Sequence, residues 1–131
     1  MKKQIKKLEK LAQNSDLKSD VVAWVKSQSE SYDTLESVFS DLLHNGCVSG
    51  IVSHLIYYSD TTKFYESHHD EIWDLIEEKR EDYGHSNALE FIASLNGAKN
   101  VGSEDQFKNL LAWFAFEETA YQLAIETGIE I

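Results

Sequence analysis

The stretch that decides the fold is Leu110 to Ala124, L-L-A-W-F-A-F-E-E-T-A-Y-Q-L-A. It is the most apolar helical run of the chain, and it carries two adjacent carboxylates, Glu117 and Glu118, in its middle. Phe107, Leu110, Leu111, Phe114, Tyr121 and Ile125 keep helical spacing on one face, while Trp113 and Phe116 widen the apolar surface around the cylinder. A helix apolar on nearly all sides belongs at the centre of a bundle. Its start is signalled by Ser103 and Gln106 at capping-box spacing, with Glu104 and Asp105 in the first turn, where the helix dipole favours negative charge. Gly128 supplies the stop.

Working outward, Lys2 to Gln13 reads as a short amphipathic helix, with Ile5, Leu8, Leu11 and Ala12 on one side and lysines on the other. Ser15 or Asp16 caps a second helix whose stripe is Leu17, Val21, Val22, Trp24 and Val25, and the polar segment Ser27 to Ser31 follows as a loop. Asp33 with Glu36 has capping-box spacing and opens a third helix through Leu35, Val38, Phe39, Leu42 and Leu43, ended by Asn45-Gly46. The run Cys47 to Tyr58 is rich in β-branched residues. Val48, Ile51, Val52, Leu55 and Tyr58 nevertheless recur every three or four positions, which predicts a helix, and Gly50 within it permits close approach of a neighbour. Ser59-Asp60 breaks and recaps the chain. Thr61 to Tyr83 then reads as one long helix or two short ones kinked near His68-His69, with Phe64, Ile72, Leu75, Ile76 and Tyr83 inward and Gly84 closing it. A short helix from Asn87 to Leu95 packs through Leu89, Ile92 and Leu95, and N-G-A-K-N-V-G-S is a turn-rich connection. The expected architecture is all-α, a single-domain bundle of about six helices over residues 1–131, with 1–13 as a basic and loosely attached N-terminal helix.

Composition narrows the function. The 131 residues hold 42% hydrophobic side chains, three Trp, six Phe and six Tyr, enough for a real core and too many for a disordered chain. Proline is absent, which suits helices joined by short loops. Cys47 is the one cysteine, so it forms no intramolecular disulfide and no cysteine metal cluster, and it reads as a small core residue of a reducing compartment. No stretch has transmembrane length, and the basic start lacks the apolar core of a signal peptide, so a soluble cytoplasmic protein is expected. The net charge is −11, but residues 1–10 carry five Lys against one Glu, which leaves −15 on the rest. Repulsion of phosphates argues against nucleic-acid binding through that acidic body.

Few motifs carry chemistry. Glu117 and Glu118 sit among apolar neighbours, so one of them is expected to be poorly solvated, tied to a donor such as His54, Tyr57, Tyr58, Trp24 or Arg80, or raised in pKa. Tyr121 lies one turn from Glu117 and completes this set of buried polar candidates. A bundle-type di-iron site needs Glu-x-x-His on each of two helices, and the chain lacks that pair. His68 and His69 point about 100° apart on a helix and chelate one ion poorly, and H-E-x-x-H is absent. No P-loop, dinucleotide fingerprint or nucleophile elbow occurs, so no cofactor and no catalytic residues are expected.

The strongest surface feature is acidic. Glu66, Asp70, Glu71, Asp74, Glu77, Glu78, Glu81 and Asp82 face outward on helical spacing against Lys79 and Arg80, with Trp73 among them and Tyr65 and Tyr83 at the flanks. Such a face is either a solvated helix surface or a set of carboxylates that occupies a basic, nucleic-acid-binding channel, with the aromatics as anchors. The basic helix 2–13 could instead touch a membrane, nucleic acid or the acidic face of a second copy, which would make the protein self-associating.

The blocks S-G-I-V-S-H-L-I-Y-Y-S-D-T-T-K-F-Y at 49–65 and L-L-A-W-F-A-F-E-E-T-A-Y at 110–121 resemble small proteins carried by bacteriophages and mobile elements, over roughly residues 45–125. That group brings no catalytic residues to transfer. The resemblance implies an accessory factor that binds and blocks a bacterial defence complex such as a CRISPR effector or a restriction enzyme. A small enzyme or metalloprotein using Glu117, Glu118 and His54 is the alternative.

Overall fold

The structure is a computed structural model, and it describes residues 1–43, 61–95 and 98–130. Every regular element among them is helical: α1 (Lys2–Leu11), α2 (Asp16–Ser29), α3 (Leu35–Leu43), α4 (Thr61–Ser67), α5 (His69–Asp82), α6 (Ala88–Ala93), a 3₁₀ turn at Ala98–Asn100, and the long α7 (Glu104–Thr127). The all-α class read from periodicity holds. The helix expected over Cys47 to Tyr58 lies outside the described residues, as do the Asn45-Gly46 stop and the Ser59-Asp60 break.

The chain gathers into two units. The first comprises Met1–His54 with Phe116–Ile131, and the second Leu55–Ala115. In the first unit α1 packs on α2 and α2 on α3. Leu8 and Ala12 of α1, Leu17, Val21, Val22 and Val25 of α2, and Leu35, Val38, Phe39 and Leu42 of α3 are buried as their spacing predicts. Each large side chain so buried contributes on the order of 1.5–3 kcal/mol. The Ser15 hydroxyl caps α2 by accepting the Lys18 amide at 3.1 Å. The loop predicted at Ser27 to Ser31 starts later, because α2 runs on to Ser29.

The cap of α3 sits one residue beyond the predicted Asp33. Thr34 Oγ1 accepts the Ser37 amide at 3.2 Å, and the Thr34 carbonyl receives the Val38 amide at 3.4 Å. Glu36, freed from a capping box, accepts from Gln4 Nε2 at 2.9 Å, and this bond holds its carboxyl below the ordinary range. It also ties α1 to α3.

In the second unit α4 and α5 are the two short helices of the kinked alternative, separated at His68 (φ −120°, ψ 23°). Phe64, Ile72 and Ile76 are buried as predicted. Tyr83 is not: it is 66% exposed, stacked 5.9 Å from Phe91 at the end of α5, where the helix has already turned away from the core. Gly84 follows at φ +76°, and the His85 amide reaches back to the Arg80 carbonyl at 2.8 Å, a Schellman closure that needs the left-handed residue. Asn87 caps α6. Its buried pair is Phe91 and Ile92, whereas Leu89, predicted to pack, is 69% exposed.

The long helix α7 corrects the largest expectation. Its buried residues are Leu110, as predicted, then Leu111, Ala115, Thr119, Leu123 and Thr127 in one row, with Ala112, Phe116, Ala120 and Ala124 in the row beside it. Tyr121 (44% exposed) and Ile125 (55%) face solvent, although their helical spacing placed them on the inner face. Four of these buried residues are alanines, and Phe116 among them meets Trp24 edge-on at 5.3 Å. The Ser103 hydroxyl accepts the Gln106 amide at 3.2 Å as predicted, and the Gln106 side chain returns to the Gly102 amide. Gly128 (φ +82°) ends α7 as expected.

Candidate functional site

Helix α5 owes its orientation to Ile72 and Ile76, which are buried and turn the opposite side of the cylinder outward. Asp70, Asp74, Glu77, Glu78, Glu81 and Asp82 are exposed there, Glu71 and Trp73 are half-buried at the margins, and Glu66 is exposed on α4. From Asp70 to Asp82 the axis runs roughly 18 Å at 1.5 Å per residue. Seven carboxylates and two cations leave −5 on that length, about one charge per 3.6 Å. A single nucleic-acid strand presents about one per 3.4 Å and a duplex one per 1.7 Å. The face therefore has the linear charge of one strand.

The two cations in that sum are both paired. Arg80 Nε donates to Glu77 at 2.7 Å, and its Nη2 lies 3.6 Å from Glu81. Lys79 meets Asp82 at 3.7 Å, and Lys108, from the start of α7, meets Glu66 at 2.9 Å. The Glu66 contact raises the Lys108 pKa. Arg80 is thus held by carboxylates of its own helix. Asp74 and Glu78 have no cation within ion-pair distance among the described residues, and they form the uncompensated centre of the stripe.

The aromatic flank is built around one hydrogen bond, from Trp73 Nε1 to the Tyr65 hydroxyl at 2.7 Å. Tyr65 is buried and so acts as the support, not as an anchor. Its ring lies 5.5 Å from His69, which is 6.3 Å from Trp73. His69 Nδ1 is 3.1 Å from Asp70. The pair Glu66 and His69 is the one Glu-x-x-His spacing of the chain. The helix break at His68 separates them, and each is engaged elsewhere, Glu66 by Lys108 and His69 by Asp70.

The second group of candidates is described only in part. His54, Tyr57 and Tyr58 lie outside the described residues. Glu117 and Glu118 are both half-buried, and Tyr121 is exposed. Burial raises the Glu117 pKa above its ordinary value, and the neighbouring charge of Glu118 adds to the shift. Among the described residues no three His, Cys, Asp or Glu side chains lie close enough to share a metal ion. A shallow cleft of about 430 Å³ between α1 and α2 is lined by Glu9, Ala12, Ser19, Val22 and Lys26, with Glu9 and Lys26 paired at 3.5 Å on its rim. No described helix is long and apolar enough to cross a membrane.

Sequence reading missed Phe91 and the lysine partners. Phe91 was legible, since Ala88, Phe91, Ile92 and Leu95 keep helical spacing; the partner of Glu66 lies 42 positions away and left no local signal.

Comparison with curated proteins and with solved structures gives no match. The profile of one family does match, and it spans residues 7–130, nearly the whole chain. The protein belongs to the family described as a domain of unknown function, DUF7222.

Proposed function

We propose that the protein is a non-catalytic binding protein that docks the acidic face of α5 onto a basic, nucleic-acid-binding surface of another protein. The observation that carries this reading is the exposed carboxylate stripe, whose net charge per unit length is close to that of a single nucleic-acid strand. Trp73, fixed by Tyr65, and the exposed Tyr83 stand beside it and can supply the apolar contact that charge alone does not. The resemblance to phage-borne proteins extends the proposal to its target, a bacterial defence complex such as a CRISPR effector or a restriction enzyme. In that role the protein blocks by occupying the nucleic-acid channel.

The test is a pull-down from bacterial lysate with the wild type and with a Glu71→Lys, Asp74→Lys, Glu77→Lys, Glu78→Lys variant, washed at low salt and at about 0.5 M, where the Debye length falls to a few ångström. A nucleic-acid-binding protein retained by the wild type at low salt, released at high salt and absent from the variant supports docking. Identical capture by both proteins would sink it. The enzyme reading, with Glu117, Glu118 and His54 as its residues, has the raised Glu117 carboxyl in its favour. Burial among apolar neighbours accounts for that shift without a catalytic role.

A further inference from the structure

Of the twelve Lys and Arg side chains four are paired; of the eight without an ion pair among the described residues, Lys18, Lys63 and Lys99 stand singly on separate elements and the other five are gathered on α1. Lys26, Lys79, Arg80 and Lys108 each meet a carboxylate. Lys2, Lys3, Lys6, Lys7 and Lys10 of α1 are all exposed, and none has an ion pair among the described residues, in a protein with 23 acidic side chains. At 100° per residue the five lie within an arc of about 140°, in rows 2-6-10 and 3-7, along roughly 12 Å of axis. The first turn of α1 holds Lys2 and Lys3, no acidic residue and no side-chain cap, so positive charge accumulates where the helix dipole is least able to tolerate it. An anion placed there is favoured by the lysines and by the dipole together.

We infer that α1 is a contact for the sugar–phosphate backbone of a nucleic-acid duplex. Three observations select this partner. Leu8 and Ala12 are buried against the body, so the apolar side of α1 is not available to enter a lipid surface. The helix has no aromatic residue, so it cannot stack on the bases of a single strand. A duplex also releases condensed counterions when lysines neutralise its phosphates, a driving force that an acidic protein face lacks. The contact is sequence-independent and local: at physiological salt, charges beyond about 8 Å are largely screened, so the acidic remainder does not cancel the lysines. This inference is separate from the docking of α5 and does not depend on it.

The experiment uses the purified full chain alone and a labelled duplex of about 20 base pairs, with binding read by fluorescence anisotropy at about 50 and 200 mM salt. Five neutralised phosphates give a slope of log K on log salt of about −4.5, or roughly a 500-fold loss over that range. A Lys6→Ala, Lys7→Ala, Lys10→Ala variant retains two, so its slope should be about −1.8 and its loss roughly 12-fold. Ala is the best helix former, and an unchanged circular dichroism spectrum confirms that α1 persists. No duplex binding at 50 mM salt, or equal binding by the variant, overturns the inference. So does a result in which the variant loses only a concentration-dependent dimer or only adhesion to anionic vesicles. Failure here leaves the pull-down with the α5 variant unaffected.

Discussion

Two aromatic residues five positions apart on α7, Phe116 and Tyr121, should respond in opposite ways to the same truncation. Phe116 is 1% exposed and meets the edge of Trp24 at 5.3 Å, whereas Tyr121 is 44% exposed. Phe116→Ala removes a buried ring and leaves a cavity among alanines that cannot collapse far, a loss of about 3–5 kcal/mol. For 131 residues at about 2.1 cal/mol/K each, the unfolding entropy is roughly 0.28 kcal/mol/K, so each kcal/mol lowers Tm by about 3.6 °C. The expected fall is therefore about 11–18 °C. Tyr121→Ala leaves no cavity and should cost under about 1 kcal/mol, less than about 4 °C. Thermal unfolding followed by circular dichroism measures both, and urea unfolding with an unchanged m-value confirms that the two-state comparison holds. Equal losses, or a larger one for Tyr121→Ala, would refute the assignment of the alanine rows as the inner face.

Two further outcomes follow from the caps and the buried carboxylate. Thr34→Ala should lower stability by about 1 kcal/mol in urea titrations while Asp33→Ala changes it by less than about 0.5; the reverse order would return the cap to Asp33. Glu117 has a folded pKa raised above its unfolded value, so its charged form is disfavoured in the fold, and stability is lost as pH rises through the folded pKa. Glu117→Gln should therefore gain stability over the wild type progressively as pH rises above the ordinary glutamate range, and a difference that does not vary with pH would contradict the shift.

The features read correctly from sequence are those decided within one turn of chain. Ser15, Ser103, Gly84 and Gly128 are identifiable because a cap bond or a left-handed closure involves neighbours no more than five residues away. The faces of α1, α2 and α3 were legible for a related reason, since each has one stripe of large aliphatic residues opposite polar ones. In α7 that contrast is missing. Apolar residues surround the helix, so helical spacing alone could place Tyr121 and Ile125 inward, while four of the buried positions are Ala112, Ala115, Ala120 and Ala124, which carry little hydrophobic weight. Leu89 was misread in the same way, by its spacing with Ile92 and Leu95, and Asp33 was displaced by a hydroxyl at the next position that caps equally well. The acidic stripe of α5 was legible because its inner residues, Ile72 and Ile76, are unambiguous. Its compensation was only partly so: Arg80 with Glu77 is a local pair, but Lys108 with Glu66 depends on tertiary structure.

Charge placement, more than net charge, explains what such a chain can recognise. Exposed ion pairs contribute little stability, about 0–1 kcal/mol each, so pairing Lys26, Lys79, Arg80 and Lys108 with carboxylates does little to hold the fold together. Its larger effect is on the field: four cations are neutralised where they stand, Lys18, Lys63 and Lys99 stand singly, and α1 gathers five that are unpaired among the described residues. A partner within a Debye length of α1 meets lysines, and one within a Debye length of α5 meets carboxylates, whatever the sum of −11 suggests. The two faces differ in what they add to charge. Helix α1 offers no aromatic side chain, so charge is what it brings to the proposed phosphate-backbone contact, with an affinity set by salt. Helix α5 carries Trp73, positioned by Tyr65, with Tyr83 exposed at its end, groups that desolvate against a shaped surface and discriminate between partners of equal charge. If both proposals hold, selectivity for one protein partner belongs to α5, and non-selective attraction to polyanions belongs to α1.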